Sequence, residues 1–356
     1  MAFEIDTPSS LATAVDELLP ATPTLLGLGE PTHGIKEFLL LRNELVALRR
    51  WRAIALETDF FAAARVDDYV NGGLADLDSM LDKGFSHGFG TIPGNRELLE
   101  WLRAHNADQA PEDRIRFHGF DAPTEFAAAP SPRSFLIAVD TYLNAGSAAE
   151  ITALAGDDGD WSNPAAMYDP TKSIGNSDQA RALRVIAEDL ADAASVDPEA
   201  HDLARTALGL LRYHAAMATE APDRIGNLSR VRSEMMADNL LAIIARERGP
   251  VLAFAHNHHL QRTNASAGAR VAAVLGPQYV VITSDANPQS EPGTLQHTLA
   301  SATTRRALFR TEELRGETRA GDPILPGHLP LTPDDLTGAD AVVFIADTDG
   351  KRHQYW

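Results

Sequence analysis

Two short motifs rich in histidine carry the side chains best suited to chemistry in this sequence. One is GEPTHG at residues 29–34, and the other is HNHH at residues 256–259. Each follows a short apolar run typical of a buried strand, and ligands of α/β proteins bind beyond the carboxyl ends of such strands. Histidine with glutamate, in a chain without cysteine, predicts either acid–base catalysis or a metal site.

Glu30 and His33 are predicted to lie on a turn between a strand and a helix, because Pro31 ends the strand and Gly34 permits a tight turn. Arg42 follows in the next predicted helix, from where its long side chain could return to the turn. The simpler alternative is that Glu30 caps the helix and that His33 is an ordinary polar loop residue.

Glu57 comes directly after the apolar run 53–56, where a carboxylate would be half buried and in need of a partner. In the functional interpretation Glu57 orients His33 and raises its basicity. In the structural alternative it forms a salt bridge with Arg42 or with another arginine.

The second motif places three imidazoles, His256, His258 and His259, at one predicted strand end. They are candidates for the same site, and a polar loop with one histidine bonded to backbone is the alternative. Four further residues are candidates for substrate binding: His87 in a loop of glycine and phenylalanine, His118 and Asp121 at another strand end, and Arg232 on a helix. The simpler alternatives are a loop residue for His87, a core-facing imidazole for His118 and a surface ion pair for Arg232.

Composition excludes several classes of protein. The net charge of −19 disfavours binding to nucleic acid or to anionic membranes. The absence of cysteine excludes disulfides, thiolate nucleophiles and cysteine-bound zinc. The sequence has no GxSxG elbow, HExxH motif, Walker A loop or GxGxxG motif. Without a signal peptide or a long apolar run, a cytoplasmic protein is expected.

Apolar runs and helical patterns alternate along the chain. The runs predict six buried strands, at 24–29, 53–57, 115–119, 251–256, 279–284 and 341–346. This alternation predicts one α/β domain over 1–356, with a central, mostly parallel sheet flanked by helices. Residues 132–249 lack strand signals and predict a helical insertion between the third and fourth strands. Within it, 144–177 is a long linker that is either a lid or a peripheral loop, and 301–337 is a polar tail before the last strand.

The motifs, taken in order, resemble those of the erythromycin esterase family over most of the chain. They lie at 29–34, Arg42, 56–57, 70–72, 99–103, 119–121, 232–239, 255–259, 292–295 and 340–342. The resemblance implies an α/β sheet with a helical insertion. It also implies hydrolysis of an ester, usually a macrolide lactone, by water activated on a histidine without a covalent intermediate.

Carried over by motif, His33 is the general base, and Glu30, Arg42 and Glu57 form its polar surroundings. His256 and His259 would position water and stabilise the oxyanion. One position departs from the pattern, since His258 stands where glycine is common.

We therefore expect a hydrolase that needs no cofactor and cleaves an ester or lactone in a small-molecule natural product. One alternative is a metalloenzyme in which Glu30, His33, Glu57 and His256 bind a divalent ion. Another is a lyase or acyl-transfer enzyme that uses the same acid–base groups, and a non-catalytic binding protein is a third.

Overall fold

The structure is a computed structural model that describes residues 2–19, 21–125, 128–263, 265–287, 289–314, 316, 319–348 and 350–355. Contacts divide the chain into two compact units: a sheet unit of residues 1–120 and 243–356, and a helical unit of residues 121–242. Among the described residues, no helix has both the length and the apolar character needed to cross a bilayer.

The sheet is mixed and has eight strands in the order β1-β7-β8-β6-β2-β5-β3-β4. Strands β2, β3, β5, β6 and β8 pair in parallel, whereas β7 pairs antiparallel with both β1 and β8. The predicted α/β fold with a central sheet and flanking helices is confirmed. The strands are β1 (Ala2–Glu4), β2 (Leu25–Glu30), β3 (Ala53–Asp59), β4 (Arg116–Asp121), β5 (Val251–His256), β6 (Tyr279–Ala286), β7 (Arg306–Arg310) and β8 (Ala341–Ile345).

Both units contain helices. They are α1 (Pro8–Leu18), α2 (Lys36–Leu48), α3 (Ala63–Val70), α4 (Leu77–Lys83), α5 (Asn95–Ala107), α6 (Arg133–Leu143), α7 (Ala148–Ala155), α8 (Asp158–Trp161), α9 (Asp178–Ala194), α10 (Pro198–Met217), α11 (Arg224–Glu247), α12 (Asn257–Leu260), α13 (Ala267–Leu275) and α14 (Leu295–Ser301).

All six predicted strands are present, and two further strands were not predicted. Strand β1 has only three residues and is partly exposed. Strand β7 lies inside the segment 301–337 that was predicted to be a polar tail, and arginine occupies both of its ends. The segment 144–177 was predicted to be a loop, but it contains α7 and α8.

The central strands are apolar because both faces of the sheet are covered. Every residue of β2 and of β5 is buried. The register pairs Leu25 with Val251 and runs to Glu30, which lies opposite His256. Strand β3 pairs with the other side of β5. The carboxyl ends of β2, β5 and β3 are therefore neighbours at one edge of the sheet.

The helical unit has apolar cores of its own. One core packs residues of α6, α7, α9 and α10 around Trp161, whose side chain is buried. A second core contains Leu210, Leu228 and Met235 among its residues. Asp197 caps the N-terminus of α10, and its side chain accepts hydrogen bonds from two backbone amides. Pro198 occupies the first helical position.

Candidate active site

The carboxyl ends of β2, β3 and β5 bring together residues of both histidine motifs. Glu30 ends β2, Glu57 lies near the end of β3, and His256 ends β5. His33 lies on the turn after β2, where Gly34 has a φ of 90° that favours glycine. His259 lies in α12, the short helix that follows β5. The sequence thus predicted that these residues meet at one edge, and the structure places them there.

Glu30 and His33 form a hydrogen-bonded pair. Nδ1 of His33 lies 2.8 Å from Oε1 of Glu30. An ionised carboxylate only accepts, so Nδ1 carries a proton, and in the neutral ring Nε2 then keeps the lone pair. The Glu30 side chain is buried, while that of His33 is 19% exposed. Burial raises the pKa of Glu30, and the hydrogen bond from His33 works in the opposite direction.

Glu57 lies between two imidazoles. Its Oε1 is 3.2 Å from Nε2 of His259 and 3.8 Å from Nε2 of His33. Its Oε2 accepts the backbone N–H of His256 at 2.8 Å. The carboxylate is therefore held by the backbone of the neighbouring strand, and one of its oxygens faces both histidines.

Both ring nitrogens of His256 face the backbone. Nδ1 accepts the N–H of His258 at 3.2 Å. Nε2 lies 3.1 Å from the carbonyl oxygen of Pro31, to which it must donate. Burial, assisted by the neighbouring His33, lowers the pKa of His256 well below its usual value, so the ring is neutral at neutral pH. These bonds join the 31–34 turn to β5, and the predicted contact of His256 with water or substrate would require one of them to break.

Arg42 is buried beside the site. Its guanidinium donates to the side-chain oxygens of Asn43 and Asn95 and to the carbonyl of Gly94, at 2.8 to 3.1 Å. The alternative interpretation, a salt bridge between Arg42 and Glu57, is wrong because these neutral oxygens take the hydrogen bonds of the guanidinium. Burial lowers the pKa of Arg42 to about 9, so it keeps a positive charge at neutral pH.

Aromatic rings surround the imidazole of His33. The ring centroids of Phe89, His256 and Tyr355 lie 4.6, 5.6 and 6.3 Å from it. Phe89 belongs to the loop 84–90, which also contains the buried His87, and the rings of these two residues are 5.3 Å apart. Tyr355 was not predicted from the sequence, since no local pattern marks it.

A cavity of about 20 Å³ lies behind these groups. Its polar lining includes Glu30, Arg42, Glu57 and Asn95, and its apolar lining includes Phe254. Oε2 of Glu30 is buried and has no hydrogen-bond partner among the described residues. A space of this size can hold one water molecule.

Three predicted substrate-binding residues have partners of their own. Nε2 of His118 lies 2.8 Å from Oε1 of Glu247. In the helical unit, Arg232 holds the buried Asp121 through two hydrogen bonds, of 2.8 and 2.5 Å. The surface ion pair suggested for Arg232 is thus formed with a buried partner, and the predicted contacts of these residues with substrate stay predictions.

His258 is exposed, and its ring lies 5.1 Å from that of His256. In the segment 144–177, Trp161 belongs to the core of the helical unit, whereas Tyr168 is 82% exposed. Whether this segment acts as a lid stays a prediction.

The four residues predicted as alternative metal ligands do not form a metal site. Over the residues that the structure describes, no group of three or more His, Asp or Glu side chains is placed so that it could hold one ion. Among these residues, His256 has no nitrogen lone pair available for a metal, because Nδ1 accepts one hydrogen bond and Nε2 donates another. These residues therefore do not fit a divalent ion as they are arranged.

A sequence profile described as erythromycin esterase matches residues 46–318 of the chain. The chain belongs to the erythromycin esterase family. Membership suggests hydrolysis of ester bonds in macrolide-like substrates, although the family also includes members of uncertain activity. No curated protein sequence matches the chain.

Three solved structures share the fold of this family member. A mutant of the erythromycin esterase EreC in its open conformation has 16% identity and a TM-score of 0.73, with 98% of this chain and 96% of that chain covered. A succinoglycan biosynthesis protein has 16% identity and a TM-score of 0.71, with coverages of 98% and 94%. A Bacillus cereus protein has 16% identity and a TM-score of 0.71, with coverages of 97% and 94%. At this identity the likeness shows the fold alone.

Proposed function

We propose that this protein hydrolyses an ester or lactone of a small-molecule natural product, with His33 as the general base. The observation that carries this proposal is the hydrogen bond between Glu30 and Nδ1 of His33. In the neutral ring this bond assigns the proton to Nδ1 and the lone pair to Nε2, which lies 3.8 Å from Glu57 and can act as the base that activates water.

The nucleophilic water has a suitable place between two acceptors. Nε2 of His33 and Oε1 of Glu57 are 3.8 Å apart, a separation that one water can bridge by donating a hydrogen bond to each. His259 supports this arrangement from the other side of Oε1, at 3.2 Å. Because Glu57 is also fixed by the N–H of His256, the water would be oriented before substrate binds.

In the first step, His33 removes a proton from the water as its oxygen bonds to the ester carbonyl carbon. The imidazolium that forms is stabilised by the carboxylate of Glu30. In the second step, His33 returns the proton to the leaving alkoxide as the carbon–oxygen ester bond breaks. The products are a carboxylic acid and an alcohol, and no covalent intermediate with the protein is formed.

Surrounding charge supports this cycle. Arg42 is cationic at neutral pH and lowers the pKa of Glu30, in opposition to burial. His256 stays neutral, and its hydrogen bond to the carbonyl of Pro31 fixes the turn that carries His33.

Lactones and macrolides are the proposed substrate class, because family membership favours them.

The test is turnover of a panel of linear esters, lactones and macrolides in H₂¹⁸O, followed by mass spectrometry. Hydrolysis predicts one ¹⁸O in the product carboxylate. Consumption of substrate without ¹⁸O would indicate elimination or acyl transfer. Activity that is lost to a chelator and restored by a divalent ion would favour the metalloenzyme.

The matched variants are His33→Ala and, as a control, His201→Ala, since His201 is exposed in the helical unit. Loss of the base should lower kcat/KM by roughly 10²–10⁴-fold, and the control should keep the wild-type value. His33→Ala with more than about a tenth of wild-type kcat/KM would overturn the assignment of the base.

A further inference from the structure

Segment 350–355 lies against the turn 31–34, which carries His33, and against the loop 84–90. The N–H of His353 donates to the carbonyl of Gly34 at 2.8 Å. A methyl group at Gly34 would lie 2.7 Å from the carbonyl oxygen of His353, and one at Gly88 would lie 2.0 Å from that of Tyr355. The missing side chains at these two glycines are therefore what allow the segment to approach this closely.

Tyr355 is the residue of this segment that reaches the histidine site. Its side chain is buried. Its ring meets Phe89 at 5.1 Å and His33 at 6.3 Å, both nearly edge to face. Phe89 in turn lies 4.6 Å from His33. The imidazole is thus packed against two aromatic rings, which contact each other and come from distant parts of the sequence.

Arg352 holds Tyr355 in this position. Its guanidinium lies over the tyrosine ring, 5.4 Å from the centroid. One nitrogen donates to the phenol oxygen at 3.1 Å, and another donates to the carbonyl of Pro326 at 2.7 Å. The tyrosine is therefore fixed by its ring as well as by its hydroxyl.

We propose that Tyr355 is a positioning residue, which acts through its ring to keep the imidazole of His33 aligned between Glu30 and Glu57. This proposal rests on the proposed function, in which His33 is the base. The terminal torsion of a histidine side chain has a broad minimum, so the bond to Glu30 alone does not fix the ring plane. The tilted contact with Phe89 and the edge-to-face contact with Tyr355 restrict that rotation.

The proposal predicts different results for the ring and for the hydroxyl. Tyr355→Phe keeps the ring and should keep kcat within about threefold of wild type. Tyr355→Ala removes the ring and should lower kcat by roughly 10- to 100-fold, with a smaller change in KM, because a displaced base slows the chemical step. Tyr142→Ala is the control, since the side chain of Tyr142 is exposed in the helical unit, and it should change neither constant.

A spectroscopic readout tests the same proposal without any substrate. Histidine ring nitrogens labelled with ¹⁵N report which nitrogen carries the proton. Wild type and Tyr355→Phe should show His33 protonated on Nδ1, whereas Tyr355→Ala should show an averaged signal from the two nitrogens. The buried His328 should keep its signal in all variants.

The outcomes separate the two proposals. If wild type hydrolyses no ester, the proposed function fails, and the His33 signal still decides the role of Tyr355. If Tyr355→Ala keeps both the wild-type kcat and the wild-type His33 signal, the positioning role is overturned. Should Tyr355→Ala fail to fold, Arg352→Ala releases the same ring, and a smaller effect in the same direction is expected.

Discussion

Glu57 accepts the backbone N–H of His256 at 2.8 Å, across two neighbouring parallel strands. This bond uses Oε2, so Oε1 is left to face His33 and His259. A backbone donor cannot rotate away as a side chain can. The orientation of the carboxylate at the proposed water position is therefore set by the sheet itself.

Replacing Glu57 by glutamine should remove activity while preserving the fold. The amide oxygen can still accept the N–H of His256, but the amide nitrogen then faces His259 and cannot accept. We expect kcat/KM for the ester found in the ¹⁸O experiment to fall by about 10²-fold or more. The melting temperature should change little.

Glu188→Gln is the control for this charge change, because Glu188 is exposed in the helical unit. A Glu57→Gln enzyme within about threefold of wild type would show that the carboxylate charge is not required.

The pH dependence of activity should reflect the pair formed by Glu30 and His33. Burial raises the pKa of Glu30 above its ordinary value of 4.5. As the pH falls through the raised pKa, Glu30 becomes protonated and can no longer stabilise the imidazolium. We therefore expect kcat/KM to decline on the acid side at a higher pH than an ordinary glutamate would give, with an apparent pKa that belongs to the pair.

The raised pKa of Glu30 also sets the direction in which the stability of the protein changes with pH. Between pH 4.5 and the raised pKa, the folded protein binds more protons at Glu30 than the unfolded chain does. The free energy of unfolding contributed by Glu30 should therefore fall as the pH rises through that window. Urea unfolding across the window should show this component in wild type and not in Glu30→Gln, and an identical slope in both proteins would contradict the assignment.

His214 should make the helical unit sensitive to acid. Its Nε2 lies 2.9 Å from the carbonyl of Pro130, and its ring packs edge to face on Trp161. Burial lowers its pKa from 6.5 to about 4. Between these values the unfolded chain binds the proton and the folded protein does not, so stability is lost as the pH falls, by at most about 1.4 kcal/mol per pH unit.

His214→Gln can keep the hydrogen bond to Pro130 without titrating. Urea unfolding at pH 7 and pH 5 should therefore show a smaller loss for this variant than for wild type. An equal loss in the two proteins would place the acid sensitivity elsewhere.

Asp285 should be important for stability rather than for chemistry. Its carboxylate accepts from Nε2 of His328, from the side chain of Gln296 and from the backbone of Ala286 and Leu331, all at 2.7 to 2.8 Å. Both Asp285 and His328 are fully buried. Asp285→Ala would leave these donors unpaired and should lower the free energy of unfolding by about 3–5 kcal/mol.

Chemical denaturation measures this change, with Asp189→Ala as the control because Asp189 is exposed. A loss below about 1 kcal/mol would mean that other groups or water satisfy the donors.

The central strands could be predicted because their burial on both faces leaves a continuous apolar run in the sequence. Strand β7 could not, since an arginine stands at each end of a five-residue strand near the edge of the sheet. Strand β1 is shorter still. Strand β7 pairs with both β1 and β8, and these partners are distant in the sequence. A short stretch of sequence therefore does not indicate that β1 and β7 are strands.

The histidine site was partly predictable for a related reason. Glu30 and His256 end apolar strands and Glu57 lies near the end of a third. Parallel strands share one edge, so sequence position indicates proximity. Tyr355 follows no such rule, because its contact with His33 depends on the path of the chain after β8. The hydrogen bond of His256 to Pro31 could not be predicted either, since it depends on the direction of the Pro31 carbonyl.

The attachment of Glu57 to the backbone of β5 also bears on how the protein would respond to heat. The reacting groups lie at or near the carboxyl ends of three adjacent strands, β2, β5 and β3. Catalytic competence and the sheet should therefore be lost in one cooperative transition. The temperature at which half the activity disappears should coincide with the midpoint of the circular dichroism transition, with no folded but inactive species between them.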